Sequence, residues 1–521
     1  MKKHQIAALA LGLMTACSAF AARDFTPQAG TWIVSSELDG KPGRGLAIDV
    51  QGNTFFMQVF GYEKNGDATF YTATGQMDGN GVTAPLMRWR GGRSFGGEAR
   101  DGVEDGSPGE VKVSFMNGLK DTVQFPGEVP VAIERFLVTS QEPAVTNPLA
   151  QLGRRAFQLL ALDEQGAMAQ FWLADFSDEA GVRLGINDQQ LACTPAGAIA
   201  QWHCVAPDGV LPIGALRIQS LDLRLAAGDV GGAVQVVDTQ GQRRQWTLVG
   251  QTQHAFLSDG ITAYQQSYAS IRRRGACMDI CTRFFHTLMP FNGTWVIADE
   301  LTGKPGRGLA LDIQGSTAVL QAFNYRADGQ PTFHMGSSTY GSKGADTLAS
   351  VAQVPLHRYG GGRSLGGPAQ SAHEEELAGT AALEFAVQDR WADTWSTGTI
   401  TLPGEAPKTL RRLVLEPQQS LADHLLGEWY MPYRQLRVLF DRVLDNGMVS
   451  NADGSVVCWP GGAPFPDTPG CGQPDGQLWA WAGPISLPVL NNTPGMLRIR
   501  DRHGNLVGLG PVLEASEKSK K

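Results

Sequence analysis

The stretch GKPGRGLAIDVQG at Gly40 to Gly52 returns as GKPGRGLALDIQG at Gly303 to Gly315, with eleven positions identical and both replacements conservative. A chain that copies itself this closely is built from repeats, and its period has to be known before a fold is argued. Matches spread outward from the pair. Gly30-Thr31-Trp32 corresponds to Gly293-Thr294-Trp295, RGGRSFGG at Arg90 to Gly97 corresponds to GGGRSLGG at Gly360 to Gly367, and Arg135 near the end of the unit corresponds to Arg412.

A weaker match follows each of these A modules. Cys193…Cys204-x-x-Pro207-Asp208-Gly209 aligns with Cys458…Cys471-x-x-Pro474-Asp475-Gly476, and Asp238-Thr239-Gln240-Gly241 aligns with Asp501-Arg502-His503-Gly504. The offsets agree, at 263 for Trp32, 265 for Cys193 and 263 for Asp238. The order is A, B, A′, B′, with A at 29–139, B at 150–252, A′ at 291–416 and B′ at 425–513. Residues 253–290 have no counterpart; the run AYQQSYASIRRR lacks turn residues and predicts a partly helical linker ended by Gly275.

Within A, Leu46, Ile48 and Val50 alternate with Ala47, Asp49 and Gln51, a period of two, and turn signals such as QGN, KNGD and DGNG interrupt the chain repeatedly. That pattern predicts an antiparallel meander. With 64 Gly, 29 Pro and few long amphipathic windows, the expected fold class is all-β: tandem antiparallel β-barrel modules, or β-sandwich modules.

Residues 1–21 carry Lys2 and Lys3, an apolar run from Ile6 and Ala19-Phe20-Ala21, the pattern of a signal peptide cleaved before Ala22. Met14-Thr15-Ala16-Cys17 supplies the competing reading, a lipoprotein anchored at Cys17. No later apolar run approaches the roughly 20 residues of a membrane-spanning helix, so a periplasmic or extracellular location is expected. Removing the leader moves the net charge from −8 to about −10, which disfavours nucleic acid as a partner. The remaining six cysteines form three close pairs, Cys193 with Cys204, Cys277 with Cys281 and Cys458 with Cys471. An even count in an exported chain reads as disulfides, and the spacings fit neither a zinc knuckle nor a redox C-x-x-C motif.

Two resemblances bear on the A module. Gly-x-Trp on the first strand answered by an Arg on the last, Trp32 with Arg135 and Trp295 with Arg412, resembles the calycin superfamily of lipocalins and avidins. That resemblance implies a barrel whose end is closed by the Trp beneath the Arg, a structural role for all four residues. The longer pattern GTW…PGRGL, followed by Tyr62-x-x-x-Gly66 or Tyr325-x-x-x-Gly329, is similar to a repeat of uncharacterised exported proteobacterial proteins. It implies export and β structure, without chemistry.

Three sets of repeated residues are candidates for ligand binding. Arg93 and Ser94, with Arg363 and Ser364, lie in glycine-rich loops whose amides and guanidinium suit a carboxylate or phosphate, although a bent hairpin is the simpler reading. Arg44 and Arg307 enter a strand between glycines, placed for an ion pair at a barrel rim or for a ligand. Gln58, Phe60 and Tyr62 share one strand face, as do Gln321, Phe323 and Tyr325; facing inward they would line a small-ligand pocket, facing outward they would be surface aromatics.

Catalysis has less support. Histidines do not recur at equivalent positions, and no nucleophile elbow, zinc-protease motif or dinucleotide fingerprint is present. Carboxylates recur at Asp49/Asp312, Asp208/Asp475 and Asp238/Asp501; Asp-Gly and Asp-x-x-Gly are turn chemistry first, so Asp208 and Asp475 read as hairpin residues, and neither cofactor nor metal is expected. The sequence points to a non-catalytic exported protein in a binding or envelope-structural role, its two A modules meeting a polysaccharide, an envelope protein or another surface partner together. The alternative is a periplasmic protein holding a small ligand inside the barrels; a secreted hydrolase ranks below both.

Overall fold

The computed structural model describes residues 21–136, 155–254, 290–416 and 421–506, except 24–25, 28, 117–119, 164–167, 176–181, 187–188, 197–200, 214–215, 227–228, 239, 315–316, 345–348, 387–395, 432–435, 460–469, 475–477 and 482–496. Cys17, Cys277, Cys281, Asp475 and nearly all of the expected leader and linker lie outside the described residues.

Alternation of side chains builds the first barrel. Strand Gly30–Val34 pairs with Gly45–Gln51 on one side and Val131–Arg135 on the other, and the meander runs through Thr54–Tyr62, Ala68–Gln76, Gly81–Arg90, Gly109–Phe115 and Lys120–Gln124. Pairing of Ala68–Gln76 with Gly81–Arg90 closes the ring. On the third strand Phe55, Met57 and Val59 point inward, where they meet Trp32, Leu46, Ile48, Val113 and Ile133. The intervening Gln58, Phe60 and Tyr62 point outward.

The A′ module repeats this as a closed barrel of eight antiparallel strands, from Gly293–Ile297 to Lys408–Arg412, around Trp295, Leu309, Leu311, Leu320, Leu383 and Leu410. The B module is a ring in its own right: strands from Arg155–Leu162 to Arg243–His254 close through Gln201–Val205 against Leu216–Ala226. In B′, a short α-helix (Leu421–Leu425) leads into Gly427–Met431, part of an open seven-stranded sheet among the described residues. Gly427 has φ 121°, close to the 122° of Gly30 and 125° of Gly293, so Gly-x-Trp opens three modules with one backbone shape.

Both described disulfides join register partners on adjacent antiparallel strands, Cys193 with Cys204 and Cys458 with Cys471, with Cα separations of 3.9 and 4.0 Å. All four cysteines are buried in the cores of B and B′. We expect Cys193→Ala/Cys204→Ala to lower the unfolding free energy of B by about 2–3 kcal/mol in denaturant titration and to leave the A barrels unchanged. Loss of a covalent link between the two peptides only after reduction, read by mass spectrometry, checks the pairing itself.

Candidate functional site

Much of the outward face of the second, third and fourth strands is buried in both A barrels, because the two barrels dock on each other there. Ala47, Phe60, Tyr62, Ala68 and Phe70 of A pack with Ala310, Phe323, Tyr325 and Phe333 of A′ in one buried cluster. Phe60 meets Phe333 at 5.3 Å between ring centroids, and its counterpart Phe323 meets Phe70 at 5.7 Å. The joint therefore has an approximate twofold relation.

Two carboxylates cross it. Asp312 of A′ accepts hydrogen bonds from Arg135 Nη1 (2.6 Å), Arg135 Nη2 (2.5 Å) and the Thr31 amide (2.9 Å) of A. Asp49 of A accepts from Arg412 Nη2 (2.8 Å) and the Thr294 amide (2.9 Å) of A′. The approach explains the glycine of Gly-x-Trp. A Cβ at Gly293 would lie 2.4 Å from Asp49 Oδ2, and one at Gly30 would lie 2.9 Å from Asp312 Cγ, besides straining a positive φ. Trp32 and Trp295 are fully buried within their barrels, and Arg412 also lies over the Phe291 ring at 4.8 Å.

The glycine-rich loops cross in the other direction. Arg93 reaches Glu300 (2.9 Å) and Glu405 (3.7 Å) of A′, while Arg363 reaches Glu37 (3.2 Å) and Glu128 (3.5 Å) of A. The same glutamate pairs hold the rim arginine of their own barrel, Arg44 with Glu37 and Glu128 at 2.6 Å each and Arg307 with Glu300 and Glu405 at 2.5 Å each. Two backbone amides complete the seats: Gly96 donates to Glu405 and Gly366 to Glu128. Beyond the arginine, Phe95 packs against the A′ core and lies 4.7 Å from the His334 ring, and Leu365 packs against the A core. Each loop thus places an apolar stopper on the neighbouring barrel. Gly92 and Gly362 have no room for a side chain, since a Cβ would lie 2.1 Å from the ring of Tyr325 or Tyr62.

All ten residues singled out for ligand binding, Arg44, Gln58, Tyr62, Arg93, Ser94, Arg307, Gln321, Tyr325, Arg363 and Ser364, fall in or beside this joint. The Ser94 and Ser364 carbonyls accept the Gly97 and Gly367 amides within their loops, and Gln321 Nε2 donates to Thr31 Oγ1 across the joint. The hydroxyls of Tyr62 and Tyr325 are buried without a hydrogen-bond partner in the protein. Sequence reasoning missed the glutamates. Their signal was present, as Glu37 and Glu300 share the 263-residue offset and FPGEVP at Phe125 to Pro130 recurs as LPGEAP at Leu402 to Pro407.

A second contact was invisible in the sequence. The Gln51-Gly52-Asn53 turn of A binds the end of A′, beyond its last strand, and the B′ module: Gln51 brackets Leu413 and Leu415, and Glu416 takes the Asn53 amide, His503 and Arg502. Arg23 is wedged between them, bonding the Gly52 carbonyl at 2.5 Å and lying 3.9 Å from Asp501. Burial pulls its guanidinium down to about 10 against the opposing pull of Asp501 and Glu416. Asp501 and Asp238 hold their own turns through hydrogen bonds to nearby amides.

The chain matches no family model, no curated protein and no solved structure.

Two outcomes follow for the joint. Asp312→Asn leaves Arg135 buried without its countercharge and should cost about 3–5 kcal/mol, whereas Lys343→Ala, which breaks an exposed pair with Glu384, should cost about 1 kcal/mol or less. Thermal and denaturant unfolding of both variants checks the contrast. Acid should also open the joint. Burial would raise the Glu405 carboxyl, but Arg307, the Gly96 amide and Arg93 hold it at about 2, below its ordinary 4.5, and Glu128 and Glu300 are lowered in the same way by Arg44 and Arg307. A depressed carboxylate stabilises fully above its unfolded value, and that stability is lost as pH falls through the folded one. The expected loss lies between pH 4.5 and about 2, and a joint with flat stability across that window would contradict it.

Proposed function

We propose that this is a non-catalytic exported protein in an envelope-structural role, in which the paired A barrels form a rigid core that carries the B modules. The observation that carries the reading is that the candidate binding residues all fall in or beside the joint, where the arginines are paired with glutamates and the aromatic rings pack on one another. Export is supported by the two disulfides; no helix among the described residues is long and apolar enough to cross a membrane. The small-ligand reading has less in its favour, because the interiors of both A barrels hold apolar side chains buried against one another and a stopper from the opposite loop. A polysaccharide or envelope protein would have to be met on surfaces away from the joint.

Tyr62→Phe and Tyr325→Phe separate the structural role from ligand binding. Each removes a buried hydroxyl that bonds nothing in the protein, so the structural reading expects an unchanged or raised melting temperature. Titration of the parent protein with soluble polysaccharides and small apolar probes, followed by calorimetry, should give no saturable binding that depends on these hydroxyls. Saturable binding abolished by Tyr62→Phe, with the joint still closed, would replace this reading with the ligand-binding one.

A further inference from the structure

The central contacts across the joint come in pairs at equivalent positions of the two barrels, whereas the peripheral Arg326–Asp67 bridge has no counterpart. Arg135 on Asp312 is answered by Arg412 on Asp49, and Arg93 on Glu300 and Glu405 by Arg363 on Glu37 and Glu128. The Gly91 amide donates to the Gly329 carbonyl, and the Gly361 amide to the Gly66 carbonyl. Gly102 to Pro305 and Ala372 to Pro42 form a further pair. Each barrel therefore carries both halves of these contacts, the donor and its acceptor, the loop and its seat. A face with that property is complementary to itself, as in a twofold dimer.

We propose that the joint face of the A module is a homotypic recognition surface, whose partner is another A module, including that of a second copy of this chain. Pairing A with A would keep both Arg–Asp crossings, since Arg135 and Asp49 lie on the same barrel, and would keep both loop seats through Arg93 with Glu37 and Glu128. At the edge of the face an A–A pair would set Glu63, at the position of Arg326, against Asp67, and Asp39, at the position of Thr302, against Asp101, with Lys41 in the place of Lys304 beside Asp101; the remaining differences are conservative. Phe95 would meet Tyr71, which occupies the position of His334, and the Gly102 amide would meet the Pro42 carbonyl. Within one molecule residues 136 and 292 tie the barrels to a common chain, so the internal pair has the advantage of effective concentration. Pairing between molecules appears when the internal partner is disabled, as in domain exchange.

Two full-length chimeras test the recognition directly, one carrying residues 30–135 in place of 293–412 and the other the reverse. Both should sediment as monomers, bind no apolar dye and unfold in one transition, the A′–A′ chain with the midpoint of the parent and the A–A chain, with its added carboxylate pairs, below it. A third chain, Asp312→Arg, sets two guanidiniums together inside the molecule and leaves the A face whole. It should double in mass with rising concentration, and the double variant Asp49→Arg/Asp312→Arg, with neither face whole, should not. Chimeras of both kinds whose barrels stay unpaired and bind dye would overturn the proposal. So would an Asp312→Arg chain that binds dye as strongly as the double variant and remains monomeric at every concentration.

Discussion

The architecture depends on two carboxylates that each A barrel presents to the other. Asp49 and Asp312 are essentially without solvent exposure in the docked pair. Removing a carboxylate from water costs several kcal/mol, and the cost is met only where a guanidinium and backbone amides arrive with good geometry. Here those groups come from the opposite barrel, so neither carboxylate is buried until the joint forms. The crossings thus fix the docking register, and the apolar contact of Phe60, Phe70, Phe323 and Phe333 around them supplies the driving force.

Other features follow from that register. The first-strand glycines give space to the carboxylates, the rim arginines gather the glutamates that seat the crossing loops, and the loops set Phe95 and Leu365 over the neighbouring cores. Barrel A has a further duty, since its Gln51-Gly52-Asn53 turn fixes Glu416, Arg23 and the Asp501 turn together. Residues near both ends of the chain meet on one barrel.

Much of the fold was legible because it rests on local rules. The period-two alternation of Leu46, Ile48 and Val50 gives a strand with one apolar face, and the Asp-Gly and Asn-Gly turns set the meander, so all-β modules were expected and are present. The joint was not legible, for a physical reason. Gln58, Phe60 and Tyr62 offered two readings, inward lining or outward exposure, and neither applies: the face points outward and is buried by the second barrel. Alternation along a strand reports which side a residue takes, never what covers that side. The 13-residue repeat carried the missing information in its most constrained positions. Pro42, Arg44, Ala47 and Asp49 each touch the joint or hold its rim, which accounts for why this stretch is the best preserved of the duplication.

Residues that resembled a binding site serve the joint, Arg93 and Arg363 across it and Arg44 and Arg307 at its rims. Amide hydrogen exchange in the intact protein tests this most directly, at the amides that donate across the joint: Thr31, Thr294, Gly91, Gly361 and Gly366. If the barrels form one unit through the crossed carboxylates, these amides are as protected as the inner strands of the barrels and lose that protection together, relative to the unstructured rate, in acid. Rapid exchange of the five amides beside fully protected barrel strands would show two independent barrels and contradict the joint.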